Sequence, residues 1–165
     1  MTRLKLTAIV PQHVPQTAEY IKAMEQAVLK TMKLAQQDYE STQATWKHKA
    51  KFKLTEDHVH GNYRVTTGTN RVKPYLFVDE GTRPHIIMPK RSPYLAFASG
   101  YRAKTRVGII GSQPGGAFGP TVFAAQVHHP GFPGRKFTIT ISKRRQVTLT
   151  QEVSHAIALV NRTMK

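Results

Sequence analysis

At 165 residues the chain has room for one domain with a real core, and not for two. It holds no cysteine, which excludes disulfides and thiolate zinc sites and fits a reducing cytoplasm, and no run of about 18 apolar residues from which a membrane-spanning helix could form. Its formal net charge is +16, a value that attracts polyanions in a salt-sensitive way without identifying a DNA reader. That charge is unevenly placed. Residues 1–45 carry five Lys/Arg against four Asp/Glu, whereas residues 46–165 carry 20 against five.

Residues 1–16 read as an N-terminal arm. The patch Leu6 to Val10 is too brief for a signal-peptide core and no cleavage site follows, which argues against secretion. Thr17 to Thr45 reads as a long helix, because Ile21, Met24, Val28, Met32, Ala35 and Tyr39 recur at spacings of three and four. Pro15 and Thr17 supply start signals, and Glu19 suits the positive end of the helix dipole. The period then changes to two. Lys47, Lys49, Lys51 and Lys53 alternate with His48, Ala50, Phe52 and Leu54, which predicts a strand with a ladder of ammonium groups on one face. Arg102, Lys104 and Arg106 repeat the arrangement. These two ladders are the candidate contacts to DNA or to an acidic partner, although charged strand faces also serve simply to block unwanted sheet pairing.

Further strands are predicted at Asn62–Thr67, His85–Met88, Tyr94–Ala98 and Thr121–Val127, with Gly111 to Pro120 as a long loop. That loop is no P-loop, since no Gly-Lys-Ser/Thr ends it. Near the C-terminus two patterns compete. Phe137-Thr138-Ile139-Thr140-Ile141 alternates and favours a strand, while Leu149, Val153, Ile157 and Val160 favour a helix over 148–164, with Thr148 and Gln151 spaced as a capping box. The expected class is α+β: an antiparallel sheet region over 46–145, packed against a long N-terminal helix and a C-terminal helix, with long loops.

No active site is legible. His58 with His60, and His128 with His129, lack the third ligand and carboxylate that a catalytic metal needs. Asp79 and Glu80 are adjacent, so a strand would point them apart, towards Arg83, Lys73 or a neighbouring subunit. Ser99 before Gly100 has no activating base in its pattern. The expectation is therefore a protein with no catalytic residue, cofactor or metal.

The most informative stretch is Val78-Asp79-Glu80-Gly81-Thr82-Arg83-Pro84-His85-Ile86-Ile87, answered by Val127-His128-His129-Pro130-Gly131 and Gly134-Arg135-Lys136-Phe137. In this order, across residues 75–137, it resembles the tail-completion or head-tail joining (neck) proteins of long-tailed bacteriophages. There a "V-E-x-G-T-x-P-H" element precedes a strand, and "V-x-H-P-G" leads into "R-P-F" and a C-terminal helix. Two positions depart from that pattern: Asp79 stands before Glu80, and Lys136 stands where Pro is usual.

The resemblance implies a non-enzymatic part of a virion, made in the host cytoplasm. Several copies, six by expectation, would form a ring that closes the tail tube and faces the head connector. Its partners would be itself, the tail tube or terminator protein and the connector or stopper protein, with packaged DNA passing through the lumen and no membrane. Asp79, Glu80, Arg83, His85, Gln113, Phe118, His128, His129 and Arg135 are the candidate assembly residues, with loop 111–120 and the termini as joining elements. Val78, Phe97 and Val127 are expected to be buried. The main rival is a free DNA-binding protein that holds the duplex through the ladders; a metal-dependent nuclease is a distant third.

Overall fold

The computed structural model describes residues 4–10, 18–60, 62–69 and 72–163. The fold is α+β, with antiparallel sheets between long N-terminal and C-terminal helices. Strand β1 (Leu4–Val10) precedes helix α1 (Ala18–Thr42), and strands β2 (Lys53–Val59) and β3 (Asn62–Thr69) follow it. The three strands form one antiparallel sheet in the order β1-β3-β2. Part of the predicted arm is thus a sheet strand, while residues 11–16 and the helix start at Thr17 lie outside the described residues. On β3 the period of two is visible in burial: Tyr63, Val65, Thr67 and Thr69 are buried, and the residues between them are half-buried.

Helix α1 buries Met24, Val28, Met32, Ala35 and Tyr39, as its stripe predicts; Ile21, at the helix start, is exposed instead. Met24, Val28 and Met32 meet Tyr63 and Val65 of the sheet. Ala35 and Tyr39 form a second cluster with Ala50, Phe52, Tyr75, Phe137 and Ile141. Tyr39 stacks on Phe52 at 4.7 Å between ring centroids, and Tyr75 meets both edge-on.

The lysine ladder at 47–53 is not a strand. β2 begins only at Lys53, and the preceding segment is an extended chain lying along α1. Its backbone is satisfied by glutamine side chains rather than by a neighbouring strand. Gln43 accepts from Ala50 N at 2.7 Å and donates to Ala50 O, and Gln36 donates to Phe52 O at 3.0 Å. Ala50 and Phe52 face the core while Lys49 and Lys51 stay exposed, so burial alternates over 49–52 without a strand ladder, and His48, expected on the apolar side, is exposed like Lys47.

Two helices lie within or reach into the region expected to be sheet. Helix α2 (Val72–Glu80) places Tyr75 and Asp79 one turn apart on its buried side and leaves Glu80 exposed. Helix α3 runs unbroken from Phe137 to Thr163. The β-branched run at its start is helical because of a tertiary cap. The Asp79 carboxylate accepts from Thr138 N at 3.1 Å and from Thr138 Oγ1 at 2.5 Å, satisfying donors that the first turn leaves free. Phe137 and Ile141, four apart, are then fully buried, and Ile139 is left 54% exposed. Thr148 lies mid-helix, bonded to Arg144 O, so the proposed capping box caps nothing.

Farther along, α3 is tied to α1. Arg145 donates twice to the Asp38 carboxylate, at 2.6 and 2.8 Å, with both side chains nearly buried. Tyr20 Oη donates to Asn161 Oδ1, and Lys30 meets Glu152 at 2.8 Å on the surface.

Candidate functional site

Between α2 and α3 the chain forms six short strands that pair only two by two. β4 (Gly81–Thr82) pairs with β9 (Phe132–Pro133), β5 (His85–Ile87) with β8 (Val127–His129), and β6 (Leu95–Arg102) with β7 (Gly116–Ala124). Since 81–102 runs antiparallel to 133–116 throughout, the three pairs are one interrupted two-stranded ribbon. The two halves of the Gly-Thr-Arg-Pro-His and His-His-Pro-Gly pattern are therefore its opposite strands. Thr121–Val127, expected as one strand, is split between β7 and β8.

The glycines show why the base of the ribbon needs these residues. Gly81 has φ of +90° and ends α2, and a Cβ there would lie 2.5 Å from Phe132 O and Gly134 N. Gly131, at φ +76°, would press a Cβ to 2.8 Å from the Arg83 carbonyl carbon. Between these contacts His85 stacks on His129 at 5.0 Å. His85 Nδ1 bonds Arg83 O at 2.8 Å, and His129 Nδ1 accepts from Gly131 N at 3.0 Å. These two histidines fix a turn. Among the described residues no group of three or more His, Asp or Glu could hold a metal ion.

From this base the ribbon runs out through an irregular bend at 88–94 and returns to the body at 103–115. The return is pinned by hydrogen bonds. Gly108 N donates to Arg135 O at 2.9 Å, Thr45 Oγ1 to Gln113 O at 3.1 Å, Thr45 N to Ser112 Oγ at 3.1 Å and Lys104 Nζ to Thr45 O at 2.9 Å. The predicted loop 111–120 thus divides. Its first half is fixed to α1, and residues 116–120 are already strand β7. Likewise the second basic ladder ends as a strand at Arg102, with Lys104 in the pinned return.

β6 and β7 have no third strand among the described residues, and their apolar side chains meet little else. A bulge at Gly119, φ +83°, shifts the register between Ala98 and Gly100. Phe118 lies across Gly100, where a Cβ would come within 2.6 Å of its ring. Phe118 is nevertheless 59% exposed and Phe123 69%, and Tyr94 and Tyr101 are more than half exposed. Phe97, expected in the core, is 40% exposed for the same reason, while Val78 packs against the body's core and Val127 is half-buried. Ile86 and Met88 continue the exposed apolar surface towards the bend.

The candidate assembly residues consequently separate. Phe118 lies on the exposed ribbon, and Arg83, Glu80 and His128 are exposed near its base. His85 and His129 form the stacked turn. Gln113 is an internal tie, donating to Ala103 O at 2.9 Å. Arg135 is half-buried beneath the return, and Asp79 is the buried cap of α3, paired with neither Arg83 nor Lys73. Of the basic candidates, Lys47, Lys49, Lys51, Lys53, Arg102 and Arg106 are exposed.

What the sequence reading passed over is the ribbon's lack of charge. No Asp, Glu, Lys or Arg occurs between Arg91 and Arg102, or between Arg106 and His128, in a chain that is 21% charged. That signal was available. Where the ribbon returns it encloses a hollow of about 750 Å³, lined by residues that include Trp46, Lys47, Tyr101, Phe132 and Arg135. Comparison with protein-family models, with curated proteins and with solved structures finds no match to this chain.

Proposed function

We propose that the protein is a ring-forming structural subunit of a tailed-phage neck, closing the end of the tail tube and joining it to the head connector. The observation that carries this reading is the ribbon. A strand pair whose one charge is Arg102 at the end of β6, with aromatic side chains on both faces and unpaired edges, is costly to leave in water, and it becomes favourable when a neighbouring copy covers it. A patch on one side of the subunit, used by a neighbour in one rotational sense, closes into a ring. The motif order over residues 75–137 supplies the neck assignment, and its two halves form the ribbon's base. A scaffold of this kind needs no reactive group, and the reading assigns none.

A second reading, direct contact with DNA, rests on the charge of residues 46–165. It keeps exposed lysines and arginines but loses the ladders that would have spaced them along a strand. In the ring reading the same cations line the lumen or meet acidic surfaces above and below.

The test is co-sedimentation with particles from the source culture, after DNase and in high salt. Retention at a fixed low copy number per particle, near six, is the expected result. Release of the protein with the DNA would remove the neck assignment and put phosphate binding first.

A further inference from the structure

We propose that the hollow under the returning ribbon is a docking site for an acidic peptide segment that carries one large aromatic or aliphatic side chain. Its walls are apolar, contributed by Trp46, Pro74, Val78, Tyr101 and Phe132 from four separate parts of the chain. Around them stand Lys47, His48, Lys104, His129 and Arg135, and no lining residue is acidic. A volume of about 750 Å³ falls in the range of roughly 300–1,000 Å³ typical of sites that enclose a ligand. It admits an anchoring side chain together with its flanking residues.

The charges in the hollow are not neutralised internally. Lys104 Nζ is bonded only to a neutral carbonyl, that of Thr45, and no carboxylate pairs with Lys47 or Arg135 among the described residues. Arg135 Nε is buried and makes no hydrogen bond. That atom is closed to an incoming group; a peptide carboxylate would instead meet the unneutralised charge of the Lys47, Lys104 and Arg135 side chains that line the hollow.

Nucleic acid would also bring negative charge, but the surroundings favour peptide. Of the two strands that lead away from the hollow, β7 carries no cation and β6 carries one, Arg102 at its end. Beyond Arg102, a phosphate backbone leaving the hollow along them would find nothing to pair with. A peptide can instead fill the hollow with its apolar residue while the flanking acids meet Lys47, Lys104 and Arg135. One subunit supplies every lining residue, so the site does not depend on the ring.

Trp46 is the only tryptophan in the chain, so its emission reports occupancy directly. The experiment titrates the purified full-length protein with the peptide acetyl-Asp-Glu-Phe-Asp-Glu-amide, with a version carrying Ser for Phe, with a version carrying Lys for every acid, and with a thymidine oligonucleotide. Calorimetry follows the same titrations. The expected result is a saturable change in Trp46 emission with the first peptide alone, weakened about tenfold in Lys47→Glu and weakened also by raising salt in the unmodified protein. No saturable change with the first peptide would overturn the proposal, as would equal binding of the Ser version. Saturable binding of the oligonucleotide in preference to the peptide would reassign the hollow to nucleic acid.

Discussion

The helical body buries Tyr39, Tyr75, Phe137 and Ile141 almost completely, whereas the ribbon leaves Tyr94, Tyr101, Phe118 and Phe123 more than half exposed. Both regions are apolar, and they differ in where their partners come from. In the body, α1, α3 and the β1-β3-β2 sheet cover one another, and the buried carboxylates of Asp38 and Asp79 find their partners inside the chain, Arg145 and Thr138. In the ribbon two strands satisfy each other's backbone on one edge only, and among the described residues little covers their faces. An isolated strand pair is marginal in water. Hydrogen bonds at both of its ends hold this one in shape, so the body acts as a frame for a surface that, in the function proposed above, a neighbouring copy completes.

Changes in the body should therefore strike folding, and changes in the ribbon should strike assembly. The largest effect is expected for Asp38→Ala, which leaves Arg145 buried without its carboxylate. A loss of about 3–5 kcal/mol should appear in urea unfolding, and a loss below about 1 kcal/mol would mean that α1 and α3 are held by apolar contact alone. Asp79→Ala comes next. It removes both bonds to Thr138 and should cost about 2–3 kcal/mol, with faster amide hydrogen exchange confined to the first turn of α3. Unchanged exchange there would show that Phe137 and Ile141 start the helix without a cap.

Alkaline pH should weaken the body through Tyr39, whose hydroxyl is pushed up from 10.0 to about 12 by burial. The folded state holds that proton where the unfolded chain has lost it, so the stabilisation is complete below pH 10 and lost as pH rises towards 12. Burial moves Tyr75 in the same direction. Thermal midpoints measured across this window should fall, and less steeply in Tyr39→Phe; parallel slopes would assign the loss to other groups. The smallest effect on folding is expected in the ribbon. Phe118→Ser with Phe123→Ser should change subunit stability by no more than about 0.5 kcal/mol per site, because neither ring is buried in the single chain.

The same division explains what the sequence made legible. The stripe of α1 was readable because Met24, Val28, Met32, Ala35 and Tyr39 all face one core. The two Gly-Pro motif halves were readable because close backbone approach at Gly81 and Gly131 tolerates no side chain. The start of α3 was not, because its local β preference is overruled by Asp79, distant in sequence. Lys47 to Lys53 misled for a related reason. Alternation in sequence predicts strand pairing, yet the segment's partners are the side chains of Gln36 on α1 and of Gln43 just past its end. Phe97 is expected in the core on the rule that apolar strand residues are buried, a rule that fails where a strand pair has no third layer packed on it.

The most direct test of the account is the mass of the protein in solution, measured by sedimentation equilibrium at tens of micromolar for the unmodified chain and for the Phe118→Ser, Phe123→Ser double variant. A closed assembly of several subunits is expected for the first, and for the second a monomer that is still folded by circular dichroism. A monomer in both cases, or the same assembly in both, would contradict the claim that the ribbon is where copies of this chain meet.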